Sequence, residues 1–226
     1  MKLTIFAATG GIGHQVLEQA LAAGHDVTAV VRNPDKLPGR VRAIKADLAT
    51  ADAEALAPAV SGADAVLSGL GPRSKAEFGI VTKGTRAIIG AMQATGTRRI
   101  VVVSAAPVGT VASPGRPNPP KHDPGDGFFM RYLLSPGIKA AFGKLYTDLA
   151  QMEDELASSG LDWTVVRPPR LINKTLTNKP LTGSYRTAYG QNVRGGAFIS
   201  RADVAHLMLA VLGEPETIKQ VISVAN

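Results

Sequence analysis

The sequence predicts a single α/β domain built on a doubly wound parallel sheet. Short apolar runs alternate with longer amphipathic segments from the N-terminus onward, which is the pattern of consecutive βαβ units. The runs IVVVS and AVLSGL are apolar on successive residues, as expected for strands that helices cover on both faces. A chain of 226 residues suits one such domain with an elaboration better than two full domains.

Each element follows from this alternation. The first apolar run, LTIFAA, ends at a glycine turn and is followed by an amphipathic segment, and the same order recurs along the chain. The predicted strands are residues 3–8, 26–31, 41–46, 64–70, 99–104, 162–167 and 219–224. The predicted helices are residues 12–23, 53–60, 79–95, 138–159 and 201–213.

The amino-acid composition limits the classes of protein to which the chain can belong. Hydrophobic residues make up 45% of the chain and charged residues 19%, which indicates a soluble globular protein. The absence of cysteine excludes disulfides, catalytic thiols and iron–sulfur clusters. The net charge of +7 favours an anionic partner, such as nucleic acid, an anionic membrane or a phosphorylated cofactor. Because Gly, Pro or charge interrupts every apolar run, we expect no membrane segment and a cytoplasmic location.

A Pro- and Gly-rich insertion at residues 107–137 interrupts the alternation. Seven of the fifteen prolines lie here, so the segment predicts neither a helix nor an inner strand. Its length far exceeds an ordinary connection, which favours a lid, a docking surface or a mobile flap. The apolar residues at 128–130 and 132–134 either close over a ligand or anchor the insertion to the core.

The segment Ala7–Gly13, AATGGIG, lies between the first strand and the first helix, which is the context of a dinucleotide-binding fingerprint. Gly10, with Gly11 beside it, lets the backbone approach a diphosphate, and Gly13 lets the helix pack closely on the strand. Ala7 replaces the first glycine of the pattern and predicts a tighter turn. A purely structural turn is the alternative.

The second strand indicates which dinucleotide binds. It ends in Arg32 with no carboxylate before Asp35, and Arg suits a 2′-phosphate whereas NAD-specific sites carry an acidic residue. The sequence therefore favours NADP over NAD. The surrounding basic residues are Lys36, Arg40, Arg42 and Lys45. A solvated basic turn is the alternative.

The third and fourth strands end at the same edge of the sheet. Asp47 lies within reach of an adenine amino group and Leu48 can cover the ring, although Asp47 can instead cap the following helix. Gly69 and Gly71 allow close approach of ribose and diphosphate, and Arg73 adds a charge.

These segments together resemble the atypical short-chain dehydrogenase/reductases of the NAD(P)H-binding, NmrA-like type, and within that group the NADPH-dependent flavin reductases of the biliverdin reductase B type. The resemblance spans most of the chain outside the insertion. It is carried by FAATGGIG (6–13), VVRN (30–33), ADL (46–48), LSGLGPR (67–73), VSA (103–105), SGLDWTVVRPP (159–169), PLTGSY (180–185) and ISRADV (199–204).

The resemblance implies a Rossmann-type fold with a nicotinamide cofactor and puts Ser104 beside the nicotinamide. The cofactor-binding residues that it implies are Thr9, Gly10, Ile12, Gly13, Arg32, Asp47, Leu48, Gly71 and Arg73. A hydroxyl at the carboxyl end of a central strand also points into the usual ligand crevice. The alternative for Ser104 is a hydroxyl that bonds the backbone at the end of its strand.

The sequence departs from the motifs of related enzymes at two positions that bear on proton transfer. Arg170 stands where the flavin reductases carry histidine, so it can hold an anionic substrate but cannot shuttle protons near neutral pH. In the slots of the Tyr-x-x-x-Lys motif of ordinary short-chain enzymes the chain has Tyr146 and Ala150. Tyr146 should stay protonated and donate a proton, which favours reduction, or it is a core aromatic. The candidate catalytic residues are Ser104, Tyr146 and Arg170.

The first functional hypothesis is an NADPH-dependent reductase of a flavin, quinone or similar conjugated small molecule. The second is a non-catalytic, NADP-sensing interaction protein that docks a partner through the insertion. Nucleic-acid binding is disfavoured because aromatic residues make up only 5% of the chain and basic residues are dispersed. We predict no metal site, a solvated helix face at residues 153–155, and either a monomer or a dimer.

Overall fold

The computed structural model describes residues 1–39, 41–126, 135–173 and 184–226, with the backbone alone described in 135–141. These ranges contain ten strands and five α-helices. The strands are β1 (Lys2–Phe6), β2 (Asp26–Val31), β3 (Arg42–Lys45), β4 (Ala65–Ser68), β5 (Arg99–Val103), β6 (Asp162–Arg167), β7 (Arg170–Ile172), β8 (Arg186–Tyr189), β9 (Phe198–Ser200) and β10 (Gln220–Ala225). The helices are α1 (Gly11–Ala22), α2 (Ala53–Val60), α3 (Ile80–Thr95), α4 (Ser135–Ser158) and α5 (Arg201–Ala210).

The main sheet has eight strands in the order β3-β2-β1-β4-β5-β6-β10-β8. All neighbours in it are parallel except β8, which runs antiparallel to β10 at the edge. The chain moves outward from β1 to β3 and returns to β4 on the other side of β1. The strand order therefore reverses between β1 and β4, which creates the crevice where doubly wound sheets bind ligands.

Helices cover both faces of this sheet, which confirms the predicted Rossmann-type architecture. One core layer packs α1 and α5 against the sheet, with Leu17 and Met208 fully buried. The other packs α2, α3 and α4, with Ile88 and Leu156 fully buried. Because both faces are covered, all four residues of β4 are buried. This explains why the inner strands are apolar on successive residues.

The seven predicted strands and the five predicted helices are present in the structure, with their ends shifted by a few residues. Three strands were missed: β7 and β9, with three residues each, pair with one another, and the four-residue β8 lies exposed at the sheet edge. Such short segments carry too few apolar residues for a recognisable period. Helix α4 begins at Ser135, inside the predicted insertion, because its first turn tolerates Pro136.

The described part of the insertion, residues 107–126, is attached to the body of the domain. The Asp154 carboxylate on α4 accepts hydrogen bonds from the Ser113 hydroxyl at 3.1 Å and the Gly115 N–H at 2.8 Å. The Asn192 N–H donates to Asp123 Oδ1 at 2.7 Å. The apolar residues at 128–130 and 132–134 lie outside the described residues, so the lid stays a prediction. Among the helices described, none has both the length and the apolarity to cross a bilayer.

Candidate functional site

A cleft of about 600 Å³ opens at the carboxyl edge of the sheet, beyond the ends of the neighbouring strands β1 and β4. This volume is typical of sites for small ligands and cofactors. Twelve of the predicted site residues line the cleft: Thr9, Gly10, Gly11, Ile12, Arg32, Asp47, Leu48, Gly69, Gly71, Arg73, Ser104 and Tyr146. The fold thus brings residues that are up to 137 positions apart, from Thr9 to Tyr146, into one depression.

The start of α1 faces this cleft without a side-chain cap. Gly10 precedes the helix in an extended conformation, makes no capping hydrogen bond through a side chain, and is followed by a first turn free of acidic residues. The first backbone N–H groups of a helix lack partners within it and carry partial positive charge. The helix start is therefore suited to bind an anion.

Ala7 adopts the left-handed conformation that the fingerprint normally assigns to glycine. Its φ is 56°, and its carbonyl accepts a hydrogen bond from the Gly10 N–H at 2.8 Å. An alanine costs about 1–2 kcal/mol in this region because its Cβ approaches the following carbonyl oxygen. The tight turn predicted from the sequence is thus formed at some cost in local strain.

Gly13 serves packing and is absent from the residues that line the cleft. A Cβ atom built on Gly13 would lie 2.2 Å from the Ala7 carbonyl oxygen. A Cβ on Gly69 would lie 2.7 Å from the Gly13 nitrogen. These glycines let the first turn of α1 contact both the β1 loop and the end of β4.

Arg201 is a site residue that the sequence reasoning missed. It begins α5 and lines the cleft, and its Nε lies 2.7 Å from the position of a Cβ built on Gly11. Its guanidinium also donates to the Asn173 side-chain oxygen. A guanidinium therefore lies beside the uncapped start of α1. The available signal was a basic residue directly after the N-cap Ser200, within ISRADV.

Arg32 lines the cleft, as predicted, but it has an acidic partner. Its Nη1 lies 2.9 Å from Glu77 Oε1, and 38% of the Arg32 side chain is exposed. The other Glu77 oxygen accepts the Arg73 N–H at 2.6 Å. The hydrogen bond from the Arg73 backbone lowers the pKa of the Glu77 carboxyl most, and the hydrogen bond from Arg32 lowers it further. Sequence reasoning missed Glu77 because it belongs to a short turn far along the chain from β2.

Asp47 is exposed at the cleft and stabilises a local turn. Its Oδ1 accepts the Ala49 N–H at 3.0 Å. The alternative in which Asp47 caps the following helix is wrong, because Asp52 provides that cap through the Ala55 N–H. Leu48 beside it is buried against Gly84 and remains part of the cleft wall.

Ser104, at the end of β5, is hydrogen-bonded to a buried ion pair. Its hydroxyl lies 2.7 Å from Glu153 Oε1, which also accepts Arg167 Nε at 2.8 Å. The second Glu153 oxygen accepts Arg167 Nη2. Because a carboxylate paired with a guanidinium accepts and does not donate, the Ser104 proton points to Glu153. Ser104 then offers only lone pairs to the cleft.

The prediction of a solvated face at residues 153–155 is wrong. Glu153 is buried with Arg167, and Asp154 holds the insertion. Glu155 alone lies toward the surface as expected, where it pairs with Arg86. A signal existed in the spacing, since Glu153 lies seven residues after Tyr146 and hence on the same face of α4. An arginine at the end of an inner strand also requires a buried acidic partner.

Tyr146 lines the cleft from α4 and is half buried. Burial raises the pKa of its hydroxyl above the ordinary value of 10.0. Ala150, in the position that carries lysine in ordinary short-chain enzymes, is fully buried, and Lys144 is exposed. The site therefore holds a tyrosine that stays protonated at neutral pH and is suited to donate a proton.

Arg170, which the sequence suggests as a candidate catalytic residue that holds an anionic substrate, is not among the residues that line the cleft. Pro169 and Leu171 line the cleft, whereas Arg170 between them is exposed with its guanidinium 5.7 Å from the centre of the Phe198 ring. Alternation along β7 directs neighbouring side chains to opposite sides.

Comparisons with known proteins match this architecture. The model of the NAD(P)H-binding family matches residues 7–215. The YwnB protein of Bacillus subtilis, which is uncharacterised, is 28% identical over 226 residues, covering 96% of this chain and 94% of YwnB. SP1627 of Streptococcus pneumoniae, provisionally named an NADH-flavin reductase, superposes with a TM-score of 0.71 at 27% identity, covering 100% of this chain and 99% of SP1627.

The structure of ChuY, an anaerobilin reductase of Escherichia coli O157:H7, superposes with a TM-score of 0.72 at 25% identity. The match covers 100% of this chain and 97% of ChuY. The overall fold of the chain agrees with these superpositions. Because the family model spans most of the chain, the chain belongs to the NAD(P)H-binding family.

Proposed function

We propose that this protein is an NADPH-dependent reductase that transfers hydride to a flavin, a quinone or a similar conjugated small molecule. One observation carries the proposal: a single cleft joins an uncapped helix start and Arg32 to Ser104 and Tyr146. The first pair suits a phosphorylated dinucleotide. The second suits the reacting end of a nicotinamide and its acceptor.

The residues present fit such a cofactor. The first N–H groups of α1 and the Arg201 guanidinium would hold the diphosphate, and Gly10 and Gly71 leave the backbone open to it. Arg32 would hold the 2′-phosphate, with Lys36 also in the cleft wall. Asp47 and Leu48 would contact the adenine, and Ser104 the nicotinamide. A Cβ on Gly11 would collide with Arg201, so side chains larger than glycine would crowd this end.

NADPH, when bound, supplies the hydride and thus the redox chemistry. The protein's own residues orient the reactants and handle the proton. Ser104, with its proton directed to Glu153, accepts a hydrogen bond from an N–H donor in the cleft. Tyr146 donates a proton to a reduced, anionic acceptor, and Leu145, Leu149 and Leu171 provide apolar walls for a flat conjugated molecule. Because the Tyr146 hydroxyl stays protonated, it is a poor base for alcohol oxidation.

The raised pKa of Tyr146 predicts the pH dependence of catalysis. Burial disfavours the charged tyrosinate and raises the pKa of the hydroxyl above 10.0, so the hydroxyl stays protonated throughout the neutral range. We expect kcat to stay constant through the neutral range and to decline only in the alkaline range, with a midpoint above that of an unperturbed tyrosine, about pH 10. The Tyr146→Phe variant should show a kcat lower by about tenfold, with no alkaline limb and an unchanged affinity for NADPH. A wild-type kcat whose decline with rising pH begins before about pH 9 would contradict this role.

Arg32→Ala tests the cofactor assignment. Loss of a charge-assisted contact with the 2′-phosphate should weaken NADPH binding roughly 30-fold, about 2 kcal/mol, while NADH binding changes little. The measurement is thermal stabilisation and binding affinity with NADPH, NADP, NADH and NAD. Arg42→Ala is the matched control, because Arg42 is exposed on β3 and is not part of the cleft wall. Equal losses for NADPH and NADH would show that Arg32 does not contact the 2′-phosphate.

A further inference from the structure

Glu77 places a carboxylate at the end of the cleft that is proposed to hold the 2′-phosphate. Its side chain is 23% exposed and lines the cleft together with Arg32 and Arg73. One oxygen pairs with Arg32 Nη1 at 2.9 Å and the other accepts the Arg73 N–H at 2.6 Å. Glu77 thus connects the end of β2 to the loop that follows β4.

This arrangement has opposite consequences for the two dinucleotides. A 2′-phosphate and the Glu77 carboxylate carry the same sign of charge and require the same guanidinium, so both cannot pair with Arg32 without repulsion. A 2′-hydroxyl is neutral and can donate a hydrogen bond to a carboxylate, which is how acidic residues select NAD in this fold. Glu77 therefore disfavours the phosphorylated cofactor and tolerates the unphosphorylated one.

We propose that Glu77 is a specificity-determining residue that holds Arg32 in the free protein and is displaced from it when NADPH binds. The inference rests on the proposed function, since it concerns the same cofactor site. The protein's preference for NADPH over NADH is then the difference between attraction by Arg32 and opposition by Glu77. The preference is smaller than that of a site with Arg32 alone.

Glu77→Gln provides the test, because glutamine keeps the size and the hydrogen-bonding capacity of the side chain and removes its charge. The dissociation constants for NADPH and NADH are measured by cofactor fluorescence at low and high salt. We expect NADPH to bind about tenfold more tightly to the variant at low salt, and NADH to bind equally or more weakly. The gain for NADPH should shrink at high salt, because the site is partly exposed and screened.

Glu155→Gln is the matched control, because Glu155 forms a similar surface pair with Arg86 away from the cleft. It should leave both dissociation constants unchanged. An unchanged ratio of the NADPH and NADH constants in Glu77→Gln would overturn this inference while the proposed function stands. A wild-type protein that binds neither dinucleotide would instead overturn the proposed function.

Discussion

Glu153→Gln is expected to lower the free energy of unfolding by about 3 kcal/mol, because it leaves the buried Arg167 guanidinium without a compensating charge. Arg167 is 4% exposed and Glu153 8% exposed, so water cannot replace the lost partner. Glutamine retains one acceptor oxygen but cannot satisfy the Nε and Nη2 donors and the Ser104 hydroxyl as the carboxylate does. The measurement is denaturant unfolding followed by the fluorescence of Trp163, the single tryptophan.

Two further variants distinguish the loss of a buried ion pair from other effects of the substitution. Glu155→Gln, in the same helix, removes a surface pair and should cost less than about 0.5 kcal/mol. The double variant Glu153→Leu with Arg167→Met should recover most of the stability, since apolar side chains of similar size often replace a buried pair without loss. A Glu153→Gln cost as small as that of Glu155→Gln would contradict the buried pair.

Removal of the Glu153 carboxylate also has a catalytic consequence. In the double variant the Ser104 hydroxyl loses the acceptor that holds its proton, so the proton is free to point into the cleft, where it opposes the proposed hydrogen bond from a nicotinamide N–H. We expect the stable double variant to bind NADPH more weakly or to show a lower kcat, although its fold is restored. Recovery of both stability and activity would mean that Glu153 only stabilises the fold.

Gly13→Ala is expected to destabilise the protein by about 3 kcal/mol and to abolish dinucleotide binding. The added Cβ would lie 2.2 Å from the Ala7 carbonyl oxygen and 2.8 Å from its carbonyl carbon, and backbone atoms cannot rotate away. Alanine gains about 1 kcal/mol in helix propensity, which is smaller than the cost of overlap with backbone. The α1 turn must move from β1, and the N–H groups that face the cleft move with it.

Gly143→Ala is the control for this substitution, because a Cβ on that helical glycine meets nothing within 4 Å. It should leave stability unchanged or raise it by up to about 1 kcal/mol. Both variants are compared by thermal unfolding with and without NADPH. Equal stability of the two variants would show that the close contact of α1 with the Ala7 turn is not required.

The parts of the fold that depend on local pattern could be predicted from the sequence. Inner strands and the helices between them carry enough apolar residues to establish a period, and the turn at Ala7–Gly13 is defined by its small residues. β7 and β9 could not be predicted, because they pair only after the chain returns from the segment between them. The start of α4 was misjudged because proline is excluded from helix interiors but tolerated in the first turn.

The candidate site likewise contains residues that could be predicted from the sequence and residues that could not. Gly10, Arg32 and Ser104 were predictable because strand ends converge on one edge of a parallel sheet. Glu77, Arg167 and the partner role of Glu153 were not, because an ion pair depends on which side chains the tertiary fold brings together. Arg170 illustrates the reverse case: it stands where the flavin reductases carry a histidine, but the alternation along β7 turns it away from the cleft.

If the proposed function is correct, the cleft binds NADPH and passes its hydride to a conjugated acceptor. The most direct measurement is the initial rate of NADPH oxidation by the purified, folded wild-type protein with a panel of flavins, quinones and linear tetrapyrroles. We expect saturable oxidation that requires an acceptor from this panel and declines in Arg32→Ala through a higher KM for NADPH. Tight binding of NADPH without oxidation by any acceptor would contradict the claim and identify the protein as an NADP-sensing binding protein.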